Sequence, residues 1–152
     1  MNIKRKPVVF HNVLSARSTC KSDEWFVSAV ELRNAVIKSG LYGTGPVIYQ
    51  FAGYNPNTDT ADYTFYLPVS APIELGENDK YQFFPEWKFE DGLVLRHADL
   101  EEDLEESYEV LRACADEFHY ELQEPFYHIY LDVYGGGIID IYAPITKGRF
   151  DD

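Results

Sequence analysis

One order of elements occurs twice along the 152 residues, and it constrains the fold more than any other feature. The first half reads strand, helix, Pro46, strand, loop, strand, and closes on Tyr66-Leu67-Pro68-Val69. The second reads strand, helix, Pro125, strand, Gly-rich turn, strand, and closes on Tyr142-Ala143-Pro144-Ile145. The matching order and the shared Tyr-x-Pro-aliphatic ending point to duplication. The repeat units run over about residues 7–73 and 84–146 of a single domain, 1–152. A strand–helix–strand–strand unit covers one side of its sheet with its own helix and leaves the other side needing cover, which a second unit supplies. The expected fold is α+β: two pseudo-symmetric units forming an antiparallel sheet, with helices on one face and a central cleft.

Local signals place the elements. Residues 8–13, apolar and β-branched after Pro7, read as a strand. Residues 22–39 read as a helix with Ser22 or Asp23 as N-cap. Its core stripe is Phe26, Val30, Arg33 and Ile37, with Trp25, Ala29 and Val36 beside it, and Gly40 and Gly43 stop it. Residues 46–54 and 63–73 form a hairpin across Asn55-Pro56-Asn57, and residues 74–80 link the halves. In the second half, residues 87–89 and 93–97 flank Glu90-Asp91-Gly92, a hairpin signal. Residues 99–121 form a helix whose core face is Leu100, Leu104, Tyr108, Leu111, Ala115 and Phe118, continuing to Leu122. Its other face is acidic. Residues 126–134 and 138–145 form a hairpin across Gly135-Gly136-Gly137.

Alternation along strands assigns faces. Tyr127, Ile129, Leu131 and Val133, with Ile139, Ile141, Ala143 and Ile145, are expected toward the helices. Phe126, His128, Tyr130, Asp132, Tyr134, Asp140 and Tyr142 are expected on the opposite side. In the first half, Tyr63, Phe65, Leu67 and Val69 face the helix, and Thr64 and Tyr66 face away; residues 47–54 stay unassigned. An aromatic surface holding a carboxylate suits an apolar or cationic aromatic ligand, because rings attract a cation and a carboxylate balances its charge. It equally suits a surface that docks a protein.

Composition narrows the functional classes. With 26 acidic and 13 basic residues, the net charge is −13. That disfavours direct nucleic-acid binding, which needs positive charge to release counterions, and permits a basic protein or a cationic small molecule. No apolar run reaches the roughly 20 residues of a membrane span, and no signal peptide is evident. Cys20 and Cys114 make neither a disulfide framework nor a zinc motif, which fits free thiols in a reducing cytoplasm. Gly-x-Ser-x-Gly, phosphate-loop and His-Glu-x-x-His patterns are absent, and His11, His97, His119 and His128 show no ligand spacing. Neither a cofactor, a metal nor a catalytic residue is expected.

The segment Phe89-Glu90-Asp91-Gly92-Leu93-Val94-Leu95-Arg96-His97-Ala98-Asp99-Leu100, leading into a helix, resembles the middle of GyrI-like (gyrase-inhibitor-like, effector-binding) domains. Tyr130-Leu131-Asp132-Val133-Tyr134 followed by Asp140-Ile141-Tyr142-Ala143-Pro144-Ile145 resembles their C-terminal hairpin. The resemblance covers nearly the whole chain. It extends to uncharacterised Gram-positive members thought to serve type VII secretion as toxin chaperones. It implies two modules around a cleft, with an acidic residue on the penultimate strand contacting cationic ligands. That residue is usually Glu, and Asp132 stands there, with a shorter reach. Some relatives are hydrolases that use an acid in the cleft.

Two binding roles follow. As an adaptor or chaperone, the chain would mask a partner polypeptide, such as a basic protein or a secreted toxin, through Glu102, Glu105 and Glu109 or the aromatic face. As a small-molecule binder, it would hold a ligand with Tyr66, Tyr130, Asp132 and Tyr142. With no effector domain in these residues to transmit a ligand signal, the first role is placed ahead, and a small hydrolase stands third.

Overall fold

The computed structural model describes residues 2–97, 103–131 and 137–148. They form an α+β fold of two units, Phe10–Trp87 and the pair of segments Met1–Val9 with Lys88–Asp152. The strands are β1 (Ile3–Arg5), β2 (Val8–Lys21), β3 (Val47–Asn55), β4 (Thr60–Pro68), β5 (Tyr81–Phe89), β6 (Gly92–His97), β7 (Tyr120–Leu122), β8 (Tyr127–Leu131) and β9 (Ile138–Gly148). The helices are α1 (Trp25–Lys38) and α2 (Leu104–Phe118).

The repeat is visible in strand pairing. In the Phe10–Trp87 unit, β4 lies between β2 and β3, and β5 flanks β2. In the other unit, β9 lies between β6 and β8, and β1 flanks β6. Leaving aside the short β7, which pairs with β9, each unit therefore runs strand, helix, strand, strand, with its last strand in the middle and one extra strand at its edge. The Asp91-Gly92 step does not close a hairpin, because β6 takes β1 and β9 as neighbours and β5 lies beside β2. An edge strand brought in from elsewhere in the chain outcompetes the local turn.

β2 extends to Lys21, well beyond the apolar residues 8–13. Its polar second half is held by backbone pairing with β4 from Val13–Pro68 to Lys21–Thr60. The register puts Ala16 beside Phe65, Ser18 beside Tyr63 and Cys20 beside Ala61, so small residues fill the helix-facing row. The same register resolves β3: Tyr49 and Phe51 join Phe65 and Tyr63 toward α1, and Ile48 and Gln50 join Tyr66 and Thr64 on the far side.

α1 starts later than its capping signals suggest. Ser22 donates its hydroxyl to Asp59, and Glu24 occupies the N-cap position without a side-chain cap bond. Gly40, at φ +88°, gives the left-handed turn that stops the helix. The face α1 buries also differs from expectation. Ala29, Leu32 and Val36 are buried, and Trp25 stacks on Tyr49 at 4.5 Å, whereas Phe26, Val30 and Ile37 are exposed. Both faces are apolar, so periodicity alone could not choose between them.

α2 is capped by Asp103, whose carboxylate accepts from the Glu105 amide at 2.9 Å. It buries Ser107, Leu111 and Ala115. Leu100 lies outside the described residues, and Phe118 is exposed and stacks on Tyr120 at 5.8 Å rather than entering the core. Each fully buried aliphatic or aromatic side chain, such as Leu111, Ile141 or Leu95 in this unit, contributes about 1.5–3 kcal/mol.

β8 shows its faces the other way round from the expected alternation. Tyr127 pairs with Tyr142, Ile129 with Asp140 and Leu131 with Ile138, so these share the side away from α2. His128 and Tyr130 share the α2 side with Ile141 and Ile139. Apolarity suggested the reverse, but α2 supplies partners: Tyr108 hydrogen-bonds His128 Nε2 at 2.5 Å and packs edge-on against Phe126. A polar residue can be buried where its hydrogen bond is made, and one residue of register decides the face.

Candidate functional site

In the Phe10–Trp87 unit, the sheet side away from α1 carries a ring patch and a polar groove. Trp87 lies 5.1 Å from Tyr66 and 6.3 Å from Phe10, and Phe84 lies 6.3 Å from Tyr66. Along β4 the same face continues through Thr64 to Asp62, each step about 7 Å. Flanking strands add Arg17 and Thr19 from β2 and Gln50 and Ala52 from β3, and the depression they line has a volume of about 510 Å³. Thr19 donates to Asp62 Oδ1 at 2.6 Å, which fixes the carboxylate. Arg17 sits opposite Thr64 and Asp62 opposite Thr19, so the groove holds one charge of each sign.

In the other unit, the side away from α2 carries Phe89, 5.1 Å from Tyr127 and 6.0 Å from Tyr142. Tyr142 is fully buried and donates its hydroxyl to the Lys6 carbonyl at 2.8 Å. Burial pushes its pKa up to about 12. Asn2, Lys4, Lys6, Val94, Arg96 and Asp140 line a second depression of about 300 Å³. Arg96 grips Asp140 through Nε at 2.9 Å and Nη2 at 3.2 Å, and the carboxylate raises the guanidinium pKa further.

The α2 side of this unit holds its buried polar groups. His97 Nδ1 and Ser107 Oγ are 3.0 Å apart, both residues buried. His97 Nε2 has no hydrogen-bond partner among the described residues. This serine–histidine contact joins β6 to α2. Cys20 and Cys114 are partly buried, and burial raises both thiol pKa values, which keeps them protonated and poorly nucleophilic. Among the described residues, no cluster of three or more His, Cys, Asp or Glu side chains could hold a metal. No helix of the described residues is long and apolar enough to cross a membrane.

Tyr66 and Tyr142, singled out by the repeat, occupy equivalent positions on the third strand of each unit, both on the side away from the helix. Tyr130 does not join Tyr142, because the β8 register turns it toward α2. Asp132 and Glu102 lie outside the described residues. Glu105 and Glu109 are exposed on α2, but Glu105 accepts from Arg112 at 3.3 Å, and Arg112 also donates to Glu124 at 2.9 Å. Trp87, Phe84, Asp62 and Thr19 are the additions that the structure makes. Thr64 and Asp62 stand two and four residues before Tyr66, a period-2 signal, whereas Trp87 reaches Tyr66 through tertiary pairing alone.

No protein-family model matches this sequence, and no curated protein does. Solved structures share its fold at low identity. The EcmrR C-terminal domain is 13% identical with a TM-score of 0.66, over 97% of this chain and 99% of that one. EcmrR in its DNA complex is 16% identical with a TM-score of 0.75, over 96% of this chain and 57% of that one, so this chain spans little more than half that length. A hydrolase from Listeria innocua is 8% identical with a TM-score of 0.57, over 94% of this chain and 92% of that one. SAV2435 bound to tetraphenylphosphonium is 11% identical with a TM-score of 0.50, over 96% of this chain and 94% of that one. At these identities the likeness is one of fold, and it fits the GyrI-like arrangement that the sequence resembles.

Proposed function

We propose that this chain is a ligand-binding domain of the effector-binding kind that takes an apolar or cationic molecule on the side of the Phe10–Trp87 sheet away from α1. The observation that carries this reading is the ring cluster of buried Tyr66 and Trp87 with half-buried Phe10 and Phe84, on one side of the sheet with Thr64 and Asp62 of the adjoining groove. Aromatic faces attract a cation by about 0.5–2 kcal/mol each, and a fixed carboxylate adds charge balance. The fold likeness to a structure holding tetraphenylphosphonium supports a lipophilic cation as the first probe. Asp132, carried over from the family resemblance, is a separate candidate carboxylate in the other unit.

Trp87 reports on the patch directly, with Trp25→Phe removing the other indole. Titration with tetraphenylphosphonium should give saturable quenching. Tyr66→Leu should weaken it about tenfold, the loss of roughly 1.4 kcal/mol of ring contact. Asp62→Asn should weaken the cation but spare a neutral aromatic of the same shape, and Asp132→Ala tests separately the carboxylate that the family resemblance implies. Quenching that ignores Tyr66→Leu and Asp62→Asn removes this reading.

A partner-polypeptide role rests on a different surface: Glu105, Glu106 and Glu109 are all exposed along α2. Under that reading, charge reversal at Glu102, Glu105 and Glu109 releases a basic partner, and affinity falls as salt rises. A complex indifferent to both rejects it.

A further inference from the structure

In a chain of net charge −13, three cations gather in one depression. Lys4 lies opposite Val94, and the Lys6 amide donates to the Gly92 carbonyl at 2.9 Å, so Lys4, Lys6 and Arg96 share the side of their sheet away from α2. Both lysines are exposed and form no ion pair among the described residues. Asp140, opposite Arg96, is the one carboxylate among the described lining residues, which leaves two positive charges in excess. Its side chain is 13% exposed and that of Arg96 59%, so the carboxylate is sheltered and the cation faces solvent. Asp140 engages Nε and Nη2 of Arg96. That fixes the guanidinium plane and leaves Nη1 and the second hydrogen of Nη2 as a donor edge. The repeat sets the same residue type at the same point of each unit. Arg17 stands opposite Thr64, two residues before Tyr66, and Arg96 stands opposite Asp140, two residues before Tyr142. In the Phe10–Trp87 unit the groove beside that arginine adds the Asp62 carboxylate; in the other unit the depression adds Lys4 and Lys6.

We propose that this depression is an anion site that takes a small, soluble organic phosphate in its dianionic form. A guanidinium held in place by a carboxylate presents a rigid fork to oxyanion oxygens, and the two lysines add mobile point charges beside it. The excess of two positive charges matches a phosphate monoester, which carries about −1.5 to −2 at neutral pH. The volume of about 300 Å³ stands at the small end of ligand pockets, room for a phosphate and one attached ring. Val94, buried beneath, gives the organic part an apolar contact, and the aliphatic stems of Lys4 and Lys6 extend it. The acidic remainder of the chain sets the size of the ligand. Its repulsion is screened beyond about 8 Å at physiological ionic strength, so a compact dianion among the cations escapes it. A long polyanion would run out over acidic surface and gain too few phosphate contacts. The proposal does not depend on the ligand reading of the Phe10–Trp87 unit.

Isothermal titration calorimetry of the full chain with phenyl phosphate, at neutral pH and physiological salt, is the test. Saturable binding of one molecule per chain is expected. Lys4→Gln and Lys6→Gln should each weaken it about fivefold, the loss of one nearby charge, and Arg96→Gln roughly tenfold, the loss of the fork as well. The methyl ester of phenyl phosphate, a monoanion, should bind roughly tenfold more weakly than the dianion. If Arg96→Gln disturbs packing around Asp140, the two exposed lysines remain the deciding positions. Absence of saturable binding overturns the proposal, as does binding that ignores Lys4→Gln and Lys6→Gln together, or equal affinity for the ester. Tighter binding of phthalate than of phenyl phosphate overturns the phosphate in favour of a dicarboxylate. A single-stranded oligonucleotide that displaces phenyl phosphate through the same lysines overturns the small ligand in favour of a nucleic-acid backbone. Vesicles containing phosphatidic acid that capture the chain through those lysines overturn the soluble ligand in favour of a lipid headgroup.

Discussion

Gly92→Ala offers a sharp test of how the second repeat is packed. In regular structure, Gly→Ala ordinarily stabilises by up to about 0.5–1 kcal/mol, because glycine loses more backbone entropy on folding. Here a Cβ at position 92 would land on the Tyr142 ring, overlapping Cζ, Oη and Cε1. The ring cannot simply swing away: it is fully buried, its hydroxyl donates to the Lys6 carbonyl, and Phe89 packs beside it. Overpacking costs about 1–3 kcal/mol, and losing the hydroxyl bond adds about 1 kcal/mol. The expected net effect is destabilisation by roughly 2–3 kcal/mol, against the usual sign. Urea unfolding followed by circular dichroism, with the slope held constant, measures it. A double-mutant cycle with Tyr142→Ala isolates the cause. Tyr142→Ala alone should cost about 3–5 kcal/mol, but adding Gly92→Ala should then cost nothing or restore a little, giving strong coupling. Gly92→Ala that is neutral or stabilising in the native background, or a cycle that is additive, would refute the argument that glycine is there to admit the ring.

Three further outcomes follow from the same geometry. Burial pushes Tyr63 and Tyr142 up to about 12 from 10.0, so the unfolded chain loses these protons first. Stability should be unaffected by them below pH 10 and should fall between pH 10 and 12, by about 1 kcal/mol per tyrosine at pH 11, with Tyr142→Phe removing its share of the slope. The Arg5 guanidinium holds the Asp91 carboxyl below its ordinary value. The stabilisation is therefore present above pH 4 and lost as pH drops through the lowered value; Arg5→Gln should flatten that acid limb while costing under about 1 kcal/mol at neutral pH, since the pair is partly exposed to solvent. Leu111→Ala, at a fully buried position on α2, should cost about 2–5 kcal/mol by thermal or urea unfolding, whereas Phe118→Ala, exposed at the end of the same helix, should cost under about 1 kcal/mol.

Local sequence was enough for the duplicated strand–helix–strand–strand order, the α+β class and the two Tyr-x-Pro endings that place Tyr66 and Tyr142 at equivalent points. It was enough for the centre of each helix, because turns, caps and period are written in neighbouring residues. It did not decide which side of an element faces inward. α1 is apolar around most of its circumference, so its period is blind to the face, and stacking of Trp25 on Tyr49 settles it. β8 alternates cleanly, yet His128 and Tyr130 face α2, because Tyr108 gives His128 its hydrogen bond. The polar half of β2 becomes a strand only because β4 pairs with it, and Trp87 joins Tyr66 only because the β5 strand is laid along β2. Periodicity is a property of a few consecutive residues, whereas register and partner choice are set between residues far apart in the chain, where hydrogen bonds and ring contacts form only after the strands have met.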